Sequence, residues 1–158
     1  MASVAGMTAR IKIEMEKQHD GYAAMLKGAA LDVEVSPYME AFQRVISEQK
    51  RFIMNTLSAR AQFDYLRTYG TRLYVEFVHY FQGFEIANGA EGAGLGLQAD
   101  LKGLLETVKA FDVTVVTKKF EILVNVAFMV QAENAQSLID KLQSEQMNEV
   151  PVFSAGSA

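Results

Sequence analysis

From Val4 to about Ala29 the apolar residues Met7, Ile11, Met15, Tyr22, Met25 and Leu26 recur at spacings that lay them along one side of a helix. A break over Asp32 to Val35 follows. Ser36-Pro37 then reads as an N-cap with proline at the first helical position, where the missing N–H costs little. Tyr38, Phe42, Val45, Ile46, Phe52, Ile53 and Leu57 give this second helix an apolar side, and the pattern runs on through Phe63 and Leu66 towards Tyr69.

The segment after Gly70, TRLYVEFVHYFQGFE, fits two periods. With period two, Leu73, Val75, Phe77, His79 and Phe81 share one face; with period 3.6, Arg72, Glu76, His79 and Gly83 form a polar stripe. Aromatic and β-branched residues favour the pleated surface of a sheet, so we expect a strand. Leu97, Leu101, Leu104, Leu105, Val108 and Phe111 predict a helix from about Leu97 to Ala110. Beyond it, VTVV, a TKK turn and FEILVNVAFMVQ read as a hairpin: Phe120, Ile122, Val124, Val126, Phe128 and Val130 alternate with Glu121, Leu123, Asn125, Ala127, Met129 and Gln131. Residues 133–146 return to a helical pattern through Ala135, Leu138, Ile139 and Leu142, and NEVPVF adds a short strand with Pro151 at an edge.

Over residues 72–153 this order is strand, helix, strand, strand, helix, strand. The expected fold class is therefore α+β: two N-terminal amphipathic helices followed by a ferredoxin-like βαββαβ unit. The expected division is a helical arm at 1–70, an α+β domain at 71–153 and a frayed tail at 154–158. Were residues 71–81 helical, the chain would instead be mostly helical with one β-hairpin.

Composition narrows the chemistry. Half of the 158 residues are hydrophobic, enough for a buried core. The absence of cysteine excludes disulfides, thiolate metal sites and cysteine nucleophiles, which leaves His19 and His79 as the only imidazoles. The start of the chain lacks the pattern of a secretory signal, and the run ILVNVAFMV falls short of the roughly 20 residues a spanning helix needs. A cytoplasmic protein with no membrane partner is the expectation. A net charge of −4 weighs against nucleic-acid binding, yet the charge is segregated. Residues 37–72 carry six bases to three acids, whereas 73–158 carry five lysines to eleven acids, a contrast suited to docking between copies or with a partner.

Several motifs match a known chemistry only in part. Gly94-Leu95-Gly96-Leu97-Gln98-Ala99 matches GxGxxA ahead of a helix, with Asp112 near the place of a ribose-binding acid. A dinucleotide fingerprint needs an immediate strand-to-helix turn, however, and the chain carries no P-loop lysine. Gly92, Gly94 and Gly96 fit better as a supple connection able to form a lip over a ligand. Glu16…His19 and Glu76…His79 are both Glu-x-x-His, the i, i+3 pair of helical dimetal carboxylate sites, although Lys17, Asp20 and Arg72 suggest exposed rims. An RNA-binding sheet would need exposed aromatics and glycine where Ile122 and Asn125 stand. GxSxG, HExxH and SxxK are absent, and no cofactor is expected.

The function expected from these features is a non-enzymatic interaction or structural protein, acting through self-association or protein docking of its amphipathic helices. Met7, Ile11, Met15, Tyr22 and Met25 would be the apolar contact if they find no groove within the chain. Arg44 with Arg51, and Arg60 with Arg67, each seven residues apart, would flank it. A small-molecule-binding regulatory domain is the alternative, and a metal-carboxylate enzyme using Glu16, His19, Glu76 and His79 the lesser one.

Overall fold

The computed structural model describes residues 3–27, 34–84 and 91–132, with side chains from 97 to 126 in the last stretch. These residues form five helices: α1 (Val4–Lys27), α2 (Pro37–Thr56), α3 (Ala59–Gln82), α4 (Glu91–Lys109) and α5 (Thr114–Ala132). No strand occurs among the described residues, so the ferredoxin-like α+β arrangement is overturned. The helix and strand expected after residue 132 lie outside the described residues.

The α2 N-terminus forms as its sequence directs. Ser36 is extended, and its Oγ accepts the Met39 N–H at 3.2 Å ahead of Pro37. The helical pattern beyond it breaks at Leu57-Ser58, where Ser58 is the extended residue that starts α3. Across the corner, the Gln62 amide donates to the carbonyls of Met54 and Leu57 at 3.1 and 2.8 Å, satisfying acceptors at the end of α2.

The strand expected over residues 71–81 lies within α3, and the single helix α5 stands where both arms of the hairpin were expected. In α3, Leu66, Tyr69, Leu73, Phe77 and Phe81 are buried at three- and four-residue intervals, while Arg72, Val75 and His79 lie outside that stripe. Packing along it overrides the strand preference of the aromatic and β-branched residues. The helix also runs through residue 70, where the arm was expected to end. In α5, Val116, Phe120, Leu123 and Val124 turn inward, and Thr114, Lys118, Glu121 and Asn125 follow one another along the outer side at intervals of four, three and four. The hairpin is thus also overturned. Its alternation arose because the segment is apolar on most sides, a composition that satisfies either period.

The helices run alternately up and down. Met7, Gln49 and Tyr69 meet near one end, where the Gln49 amide donates to the Met7 carbonyl at 3.0 Å and the Tyr69 hydroxyl donates to Gln49. Phe111 stacks on Tyr69 in the same layer, with ring centroids 6.0 Å apart. Tyr22, Ser36 and Asp100 meet towards the other end. One hydrophobic core joins all five helices, from Met7 and Ile11 on α1 to Phe120 and Leu123 on α5. Close approach of α3 and α5 depends on Gly70, where a Cβ would lie 2.7 Å from both Val116 methyl carbons. The turn between α4 and α5 places Asp112 at φ 56°, the left-handed position that commonly ends a helix.

Candidate functional site

Asp100 is fully buried on α4 and is the centre of a polar knot. Its Oδ1 accepts the Ser36 backbone N–H at 2.6 Å; its Oδ2 accepts the hydroxyls of Ser36 at 2.7 Å and Tyr22 at 2.6 Å. These donors from Ser36 and Tyr22 help compensate the desolvation that a buried carboxylate would otherwise suffer. Burial, then the charge of Asp100, pushes the Tyr22 phenol well above its ordinary range. Since Ser36 Oγ also accepts from Met39, the hydroxyl is committed to capping α2 and holding Asp100. This arrangement clamps α1, α2 and α4 in register.

An aromatic cluster adjoins the knot. Tyr22 lies between Tyr38, with centroids 5.5 Å apart, and Phe84 at 5.6 Å. His19 stacks on Phe84 at 4.9 Å and meets the edge of Tyr80 at 6.1 Å. Glu16 is exposed on α1, whereas Glu76 faces Lys12 at 3.6 Å and His79 points to solvent. No group of three metal-capable side chains occurs among the described residues. The two Glu-x-x-His pairs are therefore not brought into one donor set there.

The glycine-rich stretch takes a different place from the expected connection. Gly92, Gly94 and Gly96 fall within the first turns of α4, which begins at Glu91. Helical backbone there departs from both a free lip and a strand-to-helix phosphate turn. Asp112, the ribose-binding candidate, occupies the exposed turn at the other end of α4.

The apolar residues of α1 have their groove inside the chain. Met7, Ile11, Met15 and Tyr22 are buried, and Met25 packs partly buried against the same core. The four arginines expected to flank them lie on α2 and α3, and the structure divides them. Arg44 sits midway along α2, while Arg51, Arg60 and Arg67 lie on the hairpin made by the end of α2 and the start of α3.

That hairpin extends past the Met7–Gln49–Tyr69–Phe111 layer. From Lys50 to Thr56, α2 advances about 10 Å further, at about 1.5 Å per residue. Between residues 50 and 65 only Ile53 is fully buried. Phe52, Met54 and Phe63 remain 43%, 44% and 50% exposed, among Lys50, Arg51, Arg60 and Arg67 with Asp64 as the one acid. None of these four bases forms an ion pair with a described residue. By contrast, Arg10 and Lys109 are paired with Glu48 and Glu106, each at 3.2 Å.

The sequence pattern singles out the tip arginines but assigns Phe52 to a buried stripe and lets α2 run on through Phe63. The missed signal is Ser58. A serine at the N-cap position between two amphipathic patterns marks a helix–helix corner, here without a side-chain cap hydrogen bond, and leaves the adjoining apolar side chains at an end of the bundle.

No protein-family model, curated protein or solved structure matches this chain. No helix among the described residues is long and apolar enough to cross a membrane.

Proposed function

We propose that the chain is a non-enzymatic docking module that holds the α2–α3 hairpin out towards an acidic partner. One observation carries this reading. Of the six large apolar side chains exposed among the described residues, three stand on this tip, beside bases that form no ion pair with a described residue. Apolar side chains gain by leaving water, while a local positive field steers an otherwise acidic molecule into one orientation. The Gln62 contacts to the end of α2 hold that surface in place before binding. The interaction function expected from the sequence thus rests on the hairpin, since the α1 stripe is occupied by the core.

Retention on a sulfonate cation-exchange matrix at pH 7 and low salt tests the reading. The sequence pI is about 5.2, so net charge favours exclusion. The expected result is salt-sensitive retention of the native chain and loss of retention in R51Q/R60Q/R67Q. A folded native chain that passes through unretained refutes the docking tip.

A second reading, a small-molecule-binding regulatory domain, is favoured by Gln98. Its side chain is 6% exposed, and its Nε2 has no hydrogen-bond partner among the described residues. A ligand carbonyl or carboxylate could accept from this donor. A metabolite panel should contain a compound that raises Tm in the native chain and much less in Gln98→Leu. Equal shifts in both proteins, or none, remove this reading.

A further inference from the structure

We propose that the α2–α3 tip docks on a bilayer surface bearing anionic phospholipid headgroups, an inference that rests on the docking reading above. The first argument is shape. Phe52 and Met54 lie about 100° round α2 on either side of buried Ile53, and Phe63 follows on α3, so the apolar groups surround a projecting end. Isolated apolar side chains on a projecting end of this kind fit a deformable interface that accepts them below the headgroups.

The second argument is charge. Lys50, Arg51, Arg60 and Arg67 surround these side chains with Asp64 as the sole acid, while the chain as a whole carries −4. Long basic side chains can place their stems along the apolar level and their charges among phosphates. The acidic remainder of the chain is repelled by the same surface, which directs the tip inward. Two copies meeting tip to tip would set like charges opposite one another. Tip-to-flank contacts between copies would be heterologous and would not close as a simple dimer.

Because the native sequence contains no tryptophan, Phe63→Trp creates a single reporter at the tip. Val75→Trp supplies a control on an exposed position further along α3. Each full-length variant is to be mixed with phosphatidylcholine vesicles with and without phosphatidylserine, at low and high salt, alongside vesicle co-sedimentation of the native chain. The expected result is co-sedimentation with phosphatidylserine vesicles, weakened by salt. Tryptophan emission should shift to the blue in the Phe63→Trp variant and stay unchanged in the Val75→Trp control. At roughly fivefold per base near an anionic surface, R51Q/R60Q/R67Q should partition about 100-fold more weakly. F52S/M54S/F63S should also lose binding, with the helical circular dichroism of both variants retained.

Equal binding to uncharged vesicles, or unchanged binding by the folded tip variants, overturns the proposal. So does a concentration-dependent mass in light scattering that disappears in the tip variants without vesicle binding, which assigns the surface to a second copy. Retention on the sulfonate matrix without vesicle binding refutes the lipid assignment alone. Failure of both refutes the docking reading as well.

Discussion

Asp100 is buried at 0% exposure, and its two oxygens collect donors from α1 and from the entrance to α2. Removing the carboxylate leaves the Tyr22 hydroxyl and the Ser36 N–H inside the bundle without their acceptor. Asp100→Ala should therefore cost about 3 kcal/mol, and Asp100→Asn about half as much, because one amide oxygen still accepts. Thermal melts followed at 222 nm should order the native chain above Asn above Ala. A melt for Asp100→Ala indistinguishable from native would show that the knot adds nothing to stability. The sequence revealed the Ser36 cap but not its second role, since Asp100 lies 64 residues away and its helix had to be placed first.

At the scale of elements, the contact between α3 and α5 is set by the missing side chain at Gly70. Alanine would gain about 1 kcal/mol of helix propensity, but its Cβ would press on both methyl carbons of Val116 at 2.7 Å. Overpacking should win, so Gly70→Ala is expected to lose about 1–3 kcal/mol, and G70A/V116A should recover part of that loss. Urea denaturation of Gly70→Ala, Val116→Ala and the double variant checks the coupling; a double-variant loss equal to the sum of the two single losses would refute it. Helix existence was legible in α1, α2 and the later part of α4, where polar and apolar positions separate at one period. It was obscured in α3 and α5, where aromatic and β-branched residues also satisfy a strand pattern. Thr114, Lys118, Glu121 and Asn125 did mark a helical polar stripe in α5, but the dense apolar run beside them also fits period two.

At the scale of the whole molecule, two buried phenols, Tyr22 and Tyr69, and the partly buried Tyr80 tie stability to alkaline pH. Desolvation raises Tyr22, Tyr69 and Tyr80 above the ordinary tyrosine value, and the charge of Asp100 adds to the rise at Tyr22. Their contribution is complete below about pH 10, where folded and unfolded phenols alike keep their protons. Above it the unfolded chain releases protons that the folded chain retains, so stability falls by about 1.4 kcal/mol per pH unit for each fully buried tyrosine until its folded value is passed. Urea midpoints should hold level from pH 8 to about 10 and fall steeply from there to about 11.5, and Tyr69→Phe should flatten the decline. An identical pH dependence in that variant would remove Tyr69 as a contributor.

Reading the residues in order is enough to establish that the chain has the apolar content for a core, that thiol chemistry is absent, that Ser36-Pro37 starts a helix, and that bases gather between residues 37 and 72. These are properties of composition and near-neighbour spacing. That residues 72–82 and 114–132 are helices follows from packing, because five apolar stripes must pack against one another and a segment apolar on many sides takes the period its neighbours accommodate. The tertiary structure likewise decided the fate of two similar sets of side chains. Met7, Ile11 and Met15 are enclosed by neighbouring helices, whereas Phe52, Met54 and Phe63 stand on a hairpin that continues beyond the layer where the other helices meet. Burial depends on which surfaces converge in space, and sequence spacing specifies a face without specifying what covers it.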